Sequence, residues 1–110
     1  MDITFGSEKL AKTMNSDSKL NQTYGADRGK AIRKRLDDLD AAAVLEDMRS
    51  LPGRCEELSG DRAGELSVRL TGNWRLIFRP NNDPRPTKDD GGLDWTQVTV
   101  IEITEVVDYH

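Results

Sequence analysis

The chain has few of the residues on which many small functional domains depend. Its 110 residues include one cysteine, Cys55, and one histidine, His110. A single cysteine excludes an internal disulfide and is typical of a reducing compartment, so we expect a cytoplasmic location. No apolar run is long enough to cross a membrane, and the first residues lack the apolar stretch of a secretory signal. We therefore expect no membrane partner.

Common cofactor and metal motifs are also missing. The sequence contains no zinc-type spacing, no glycine-rich phosphate loop and no Ser-His-Asp arrangement. We therefore expect neither a metal nor a cofactor. Cys55 fits a small buried apolar residue better than a nucleophile, because no neighbouring residue marks it as activated.

Aromatic residues make up 5% of the chain and apolar residues 35%, whereas 33% of the residues are charged. This composition predicts a single domain, residues 1–110, with a modest core. The net charge of −4 is unevenly spread. Residues 1–80 hold 14 Lys and Arg against 13 Asp and Glu, whereas residues 81–110 hold 2 against 7. The acidity therefore lies in the last quarter, including a Pro-, Gly-, Asn- and Asp-rich loop insert at residues 80–95.

The clearest local pattern is a β-hairpin in residues 65–79. Apolar and polar residues alternate on both sides of a break at residues 71–73. The apolar residues of the two strands face the same core only if Leu70 pairs with Trp74 and Val68 with Leu76. A one-residue slip would turn the apolar residues of one strand outward. This register leaves a three-residue loop, in which Asn73 is suited to the left-handed conformation.

The same register places Arg69 directly across from Arg75 on the polar face of the hairpin. Like charges in this position destabilise a strand pair. Two arginines are better tolerated around an anion, and a guanidinium group offers a planar fork to two phosphate oxygens. Arg75 is therefore a candidate phosphate ligand, although a solvated arginine is the commoner role for such a residue.

The remaining pattern predicts an α+β fold, with N-terminal helices packed on one face of a mainly antiparallel sheet. Residues 2–5 suggest a short strand, and Ser7 is suited to cap a following helix. Ile32, Leu36, Leu39 and Ala43 follow helical spacing. Residues 95–107 are strongly β-forming and predict a central strand with a bulge near Thr104.

The chain ends in Asp108, Tyr109 and His110. Such a tail is usually frayed, but here it follows a strong strand without a linker. If that strand lies beside the second hairpin strand, the tail lies near Arg75. A tyrosine and a histidine can then act as proton donor or acceptor. This combination suits cleavage of RNA by its own 2′-hydroxyl group, which requires a base, an acid and charge stabilisation at the phosphate.

Other basic residues extend the candidate RNA surface. Arg54, Arg62 and Arg69 are candidate RNA contacts, although each taken alone is more often a solvated surface residue. The basic run in residues 28–35 is most often a solvated helix face. It is also suited to an RNA backbone or to an acidic protein partner.

Several stretches together resemble a known family. They are residues 36–42 (LDDLDAA), 45–53 (LEDMRSLPG), 58–62 (LSGDR), 72–78 (GNWRLIF) and 106–110 (VVDYH). They are similar to the HigB-like toxins of the RelE/ParE superfamily, also called plasmid maintenance killer proteins. The similarity extends over nearly the whole chain from about Ala26. Many relatives have a histidine or lysine at the positions of Glu56 and Ser59, and a lysine at that of Ala63.

The resemblance implies a RelE-like fold and a type II toxin that cleaves mRNA on the ribosome. It also implies inhibition by a HigA-like helix-turn-helix antitoxin. By position, Arg75 corresponds to the residue that binds the scissile phosphate, and residues 108–110 to the catalytic end of the last strand. Two alternatives remain open: a non-catalytic ParE-like toxin that acts on DNA gyrase, and a regulatory partner of an antitoxin.

Overall fold

The computed structural model describes residues 1–109, which form three α-helices and a five-stranded sheet. The strands are β1 (Asp2–Phe5), β2 (Glu56–Glu57), β3 (Leu66–Arg69), β4 (Trp74–Pro80) and β5 (Val100–Asp108). The helices are α1 (Glu8–Met14), α2 (Asp17–Tyr24) and α3 (Ala26–Ala41). Short 3-10 turns occupy Leu45–Ser50, Gly60–Arg62 and Trp95–Gln97. The architecture is α+β, as predicted.

The sheet has the strand order β1-β5-β4-β3-β2. The pairs β2–β3, β3–β4 and β4–β5 are antiparallel, whereas β1 pairs with β5 in parallel. A parallel pair requires a long crossover connection, and the chain between β1 and β5, which includes all three helices, provides it. The last strand is therefore central, between β1 and β4, as the sequence predicted.

The hairpin register agrees with the prediction. Val68 pairs with Leu76 and Arg69 with Arg75, and the Leu70 amide donates to the Trp74 carbonyl over 2.9 Å. The turn differs in one respect. Gly72, with φ of 55°, takes the left-handed conformation that was expected of Asn73. Glycine adopts positive φ without the steric cost that a Cβ imposes.

The helices form one layer on the sheet face that carries Leu66, Val68, Leu76 and Phe78, all fully buried. Helix α1 begins at the predicted cap, where the Ser7 hydroxyl oxygen accepts from the Leu10 amide over 3.1 Å. Ile32, Leu36 and Leu39 of α3 are buried as expected. Helix α3 ends at Ala41, so Ala42 rather than Ala43 enters the core. None of the helices in residues 1–109 is long and apolar enough to span a bilayer.

The predicted bulge lies at Thr104. The partner of β4 shifts from Glu105 opposite Ile77 to Ile103 opposite Phe78, which leaves Thr104 as the extra residue. The Thr104 hydroxyl donates to the Ile77 carbonyl over 3.2 Å. β5 itself is shorter than predicted, because residues 95–97 form a 3-10 turn and the strand begins at Val100.

The insert after β4 is tied to the body of the protein. The Asn82 side-chain oxygen accepts from the amides of Thr99 and Val100, at 3.1 and 3.2 Å, which closes the base of the insert. Leu93 and Trp95 are buried in the main core. The insert follows Pro80, so it lies at the opposite end of β4 from Trp74, about 20 Å away at the rise of an extended strand.

Candidate active site

The end of β5 lies beside the start of β4. Trp74 pairs with Asp108 and Arg75 with Val107, and the Tyr109 amide donates to the Asn73 carbonyl over 2.8 Å. The backbone of Tyr109 is therefore held at the hairpin turn. The expectation that the last strand neighbours the second hairpin strand is confirmed. His110 lies outside the described residues, so its role stays a prediction.

The alternation of side chains separates the two described tail residues. Residues directly opposite each other in an antiparallel ladder point to the same face. Val107 therefore shares a face with Arg75, and Tyr109 follows Val107 in the same phase. Asp108 shares the other face with Trp74. The polar face thus combines Arg75 with Tyr109, whereas Asp108 lies on the far side of the strand.

The Arg75 guanidinium group is held by main-chain oxygens. Its Nη1 atom donates to the carbonyls of Gly72 and Trp74, at 3.2 and 3.0 Å. Among residues 1–109 no carboxylate forms an ion pair with Arg75. The side chain is therefore oriented but keeps an uncompensated positive charge, which is what a phosphate ligand requires.

Arg69 is exposed, and its main chain is fixed on both sides. Its amide donates to the Gly53 carbonyl over 2.7 Å, and its carbonyl accepts from Arg35 Nε over 3.0 Å. Its guanidinium group also has no ion pair within the described part of the chain. Arg69 and Arg75 therefore give this face two uncompensated charges.

Arg62 has a different environment. Its guanidinium group contacts the carboxylates of Glu105 at 2.6 Å and Glu65 at 3.5 Å. The hydrogen bond to Glu105 raises the pKa of Arg62, and the nearby Tyr109 adds a smaller contribution in the same direction. Arg62 thus borders the site, but two carboxylates compensate its charge. An RNA contact through Arg62 stays a prediction.

Arg54 lies away from this group, just before the edge strand β2. Its side chain is 67% exposed and approaches Glu56 at 3.8 Å. β3 separates β2 from β4 in the sheet, so Arg54 is not adjacent to Arg75. An RNA contact by Arg54 would extend the surface sideways, and it also stays a prediction.

Acidic side chains and Cys55 are the other residues with the potential for metal or thiol chemistry. Residues 1–109 contain no group of three or more His, Cys, Asp or Glu side chains placed to hold a metal ion. Burial raises the pKa of Cys55 to about 12. The thiol is therefore protonated at neutral pH and is not an activated nucleophile.

One contact beside the site was not predicted. The Arg28 guanidinium carbon lies 4.3 Å from the centre of the Trp74 ring, and Arg28 Nε donates to the Tyr24 carbonyl over 2.7 Å. No local pattern links a helix arginine to a hairpin tryptophan so distant in sequence. The only sequence signal was the basic run in which Arg28 stands.

Solved structures of known proteins share the overall fold. The YoeB/ParE toxin from Agrobacterium tumefaciens superimposes with a TM-score of 0.60 at 16% identity, covering 100% of this chain and 99% of that one. The YoeB–YefM complex from Staphylococcus aureus gives a TM-score of 0.55 at 22% identity, covering 100% and 97%. The fold is therefore that of the RelE-like toxins.

Sequence comparison gives the family. The description "RelE-like toxin of type II toxin-antitoxin system HigB" matches residues 4–85. Toxin HigB-1 of Vibrio cholerae serotype O1 is 33% identical over 73 residues, which cover 66% of this chain and 77% of the relative. The chain belongs to the HigB-like toxin family and is a type II toxin of the RelE superfamily. The family match ends before β5, so the tail residues lie outside it.

Proposed function

We propose that this toxin is a ribosome-dependent endoribonuclease that cleaves mRNA through the RNA's own 2′-hydroxyl group. The observation that carries the proposal is the pairing of β4 with β5. It places Arg75 and Tyr109 on one face, at one end of the sheet. The cation and an acid/base side chain thus lie on the same exposed surface.

In the proposed reaction a base removes the proton of the 2′-hydroxyl group, and the oxygen forms a bond to the adjacent phosphorus. The bond from phosphorus to the 5′ oxygen breaks, and an acid protonates that leaving oxygen. The products are a 2′,3′-cyclic phosphate and a 5′-hydroxyl end. Arg75 stabilises the negative charge that develops on the phosphate oxygens. No metal ion is required by this chemistry.

We assign the acid and base roles to Tyr109 and His110, and a supporting role to Asp108 on the opposite face of β5. The His110 assignment comes from the sequence alone. Arg69 adds a second charge opposite Arg75 and is suited to a neighbouring phosphate of the same strand. Arg54 and Arg62 are further proposed contacts to RNA at the border of this surface.

We also propose that a HigA-like helix-turn-helix antitoxin binds and inhibits this toxin. Membership of a type II toxin family supports a protein antitoxin. A solved structure with this fold is a complex of YoeB with YefM. The ribosome and its mRNA are the other proposed partners.

The test is induced expression in bacteria with mapping of RNA ends, comparing the wild type with Arg75→Ala. Arg79→Ala is the matched control, because Arg79 lies four residues further along β4 and is paired with Glu102 at 3.0 Å. We expect arrest and cut mRNA for the wild type and the control, and neither for Arg75→Ala.

Other results would assign the alternatives. DNA damage without mRNA cleavage would indicate a ParE-like action on gyrase. Absence of growth arrest from the wild-type protein would leave a regulatory role. Cleavage by Arg75→Ala at the wild-type rate would contradict the role of the arginine.

A further inference from the structure

The basic residues of α3 fall into two groups. Arg33 contacts Asp17 at 2.9 Å and donates to the Met14 carbonyl, and Arg35 contacts Asp38 at 2.9 Å. These two arginines connect parts of the protein to each other. Within residues 1–109 the other three cations, Arg28, Lys30 and Lys34, have no ion pair.

The three unpaired cations line one groove. It has a volume of about 700 Å³ and lies between the start of α3 and the hairpin turn, where Thr71 forms part of its wall. Asp27 is the one carboxylate in the lining, against three cations. The groove is therefore positive, although the chain as a whole carries a net charge of −4.

The groove adjoins the candidate active site across the turn. Thr71 precedes Gly72, whose carbonyl oxygen accepts from the Arg75 guanidinium group. Arg28 stacks on Trp74, the residue before Arg75, and its bond to the Tyr24 carbonyl fixes its direction. Trp74 and Arg75 lie on opposite faces of β4, so the groove and the arginine pair are two positive regions on either side of the hairpin turn.

The charge distribution gives this surface an orientation. The acidic insert leaves the sheet after Pro80, at the end of β4 remote from Trp74. A polyanion that approaches the acidic insert is repelled, whereas one that approaches the groove and Arg75 is attracted. The acidity of the chain is therefore compatible with RNA binding at the opposite end.

We propose that the groove formed by Arg28, Lys30 and Lys34, here called the α3 groove, binds the phosphate backbone of the RNA strand adjacent to the scissile phosphate. This inference rests on the proposed function, because it extends the strand that Arg75 would hold. The contacts are ionic and carry no base specificity. An acidic protein segment is the competing occupant.

The test measures binding of a short 2′-O-methyl RNA oligonucleotide, which cannot be cleaved, by fluorescence anisotropy over a range of salt concentrations. The variant is Lys30→Gln/Lys34→Gln. The charge-matched control is Arg85→Gln/Lys88→Gln in the insert, where both residues are exposed. Glutamine retains helix propensity, and a thermal unfolding curve for each variant checks the fold.

We expect the groove variant to bind more weakly and with a shallower salt dependence. The magnitude of the negative slope of log K against log[salt] should fall by about 1.4. Each phosphate contact on a single strand contributes about 0.7, and the variant removes two. The control should match the wild type. Equal slopes for both variants, or absence of RNA binding by the wild type, would overturn the inference.

A parallel cleavage assay on ribosomes separates this inference from the proposed nuclease activity. If the wild type cleaves mRNA and the groove variant binds RNA as tightly as the wild type does, only the inference about the α3 groove is overturned. If the groove variant binds RNA more weakly but the wild type does not cleave mRNA, the nuclease proposal is overturned and RNA binding by the α3 groove is supported. If the groove variant loses binding to an acidic peptide but binds RNA like the wild type, the groove is a protein interface and the inference is overturned.

Discussion

Arg69 lies directly opposite Arg75 in the β3–β4 ladder, and neither guanidinium group has an ion pair among residues 1–109. Facing like charges destabilise a strand pair by roughly 0.2–1 kcal/mol. We expect Arg69→Gln to raise the free energy of unfolding by that amount in low salt and to slow mRNA cleavage. Urea denaturation measures the first effect and a ribosome assay the second.

The control for Arg69→Gln is Arg69→Lys, which keeps the charge and should leave stability unchanged. The stabilisation by glutamine should shrink at high salt, because mobile ions already screen the repulsion in the wild type. If the glutamine variant is less stable than the lysine variant, the predicted repulsion between Arg69 and Arg75 is contradicted. The pair would then be stabilised by contacts other than charge.

The hairpin and the strand pairing could be predicted because local rules determine them. Alternation with period two and a three-residue turn permit one register for residues 66–78, and that register places Arg69 opposite Arg75. The bulge at Thr104 followed from apolar residues in both phases of β5. The parallel pairing of β1 with β5 joins the two ends of the chain, and no local pattern specifies it.

Other features could not be predicted, or were predicted incompletely. Helix α2 was missed because Leu20 is its only buried residue, although the Ser16 side chain that caps it gave a usable start signal. The compensation of Arg62 by Glu105 and the stacking of Arg28 on Trp74 depend on tertiary packing. The number of basic residues in a sequence therefore overestimates the number whose charge is available to a ligand.

Burial of Cys55 predicts a pH effect on stability. The pKa of this thiol is raised from its ordinary value near 9 to about 12 in the folded protein. Between these values the folded chain keeps a proton that the unfolded chain has lost. The free energy of unfolding should therefore fall as pH rises through this interval, by up to about 1.4 kcal/mol per pH unit.

The variant Cys55→Ala isolates this contribution, since lysines and tyrosines titrate in the same interval. We expect the difference in stability between wild type and variant to narrow as pH rises from about 9 to about 12. Chemical denaturation at several pH values measures it. Parallel curves for the two proteins would show that the thiol is not shielded as described.

Trp95 connects the insert to the body of the protein. Its side chain is buried, its ring lies 3.8 Å from the Arg49 guanidinium carbon, and its Nε1 donates to the Glu57 carboxylate over 3.0 Å. Trp95→Ala should lower the free energy of unfolding by about 3–5 kcal/mol, the usual cost of removing a large buried aromatic side chain. Thermal and urea unfolding provide the measurement.

Asp89→Asn at the exposed part of the insert is the control for Trp95→Ala. It should change neither stability nor cleavage, because Asp89 is exposed and the insert lies at the far end of β4 from Arg75. A small effect of Trp95→Ala on stability would mean that the insert packs independently of the core. Loss of cleavage in a stable Asp89→Asn variant would instead place the insert near the RNA.

Tyr109 and Asp108 can be distinguished by conservative substitution, since the strand alternation places them on opposite faces. Tyr109→Phe removes the phenol hydroxyl and keeps the ring, which is 38% exposed, so stability should not change. If the hydroxyl transfers a proton, the cleavage rate on ribosomes should fall by roughly 10²–10⁴-fold. Asp108→Asn changes a residue on the face of Trp74 and should lower the cleavage rate less than Tyr109→Phe does.

The decisive measurement is single-turnover cleavage of ribosome-bound mRNA, with toxin binding to ribosomes measured separately. A proton-transfer role lowers the rate at saturating toxin and leaves ribosome binding unchanged, because the phenol acts after the complex has formed. A merely structural role would weaken binding and leave the saturated rate near the wild-type value. If Asp108→Asn cleaves more slowly than Tyr109→Phe, the acid/base chemistry belongs to the Trp74 face, and the pairing of Arg75 with Tyr109 does not define the active site.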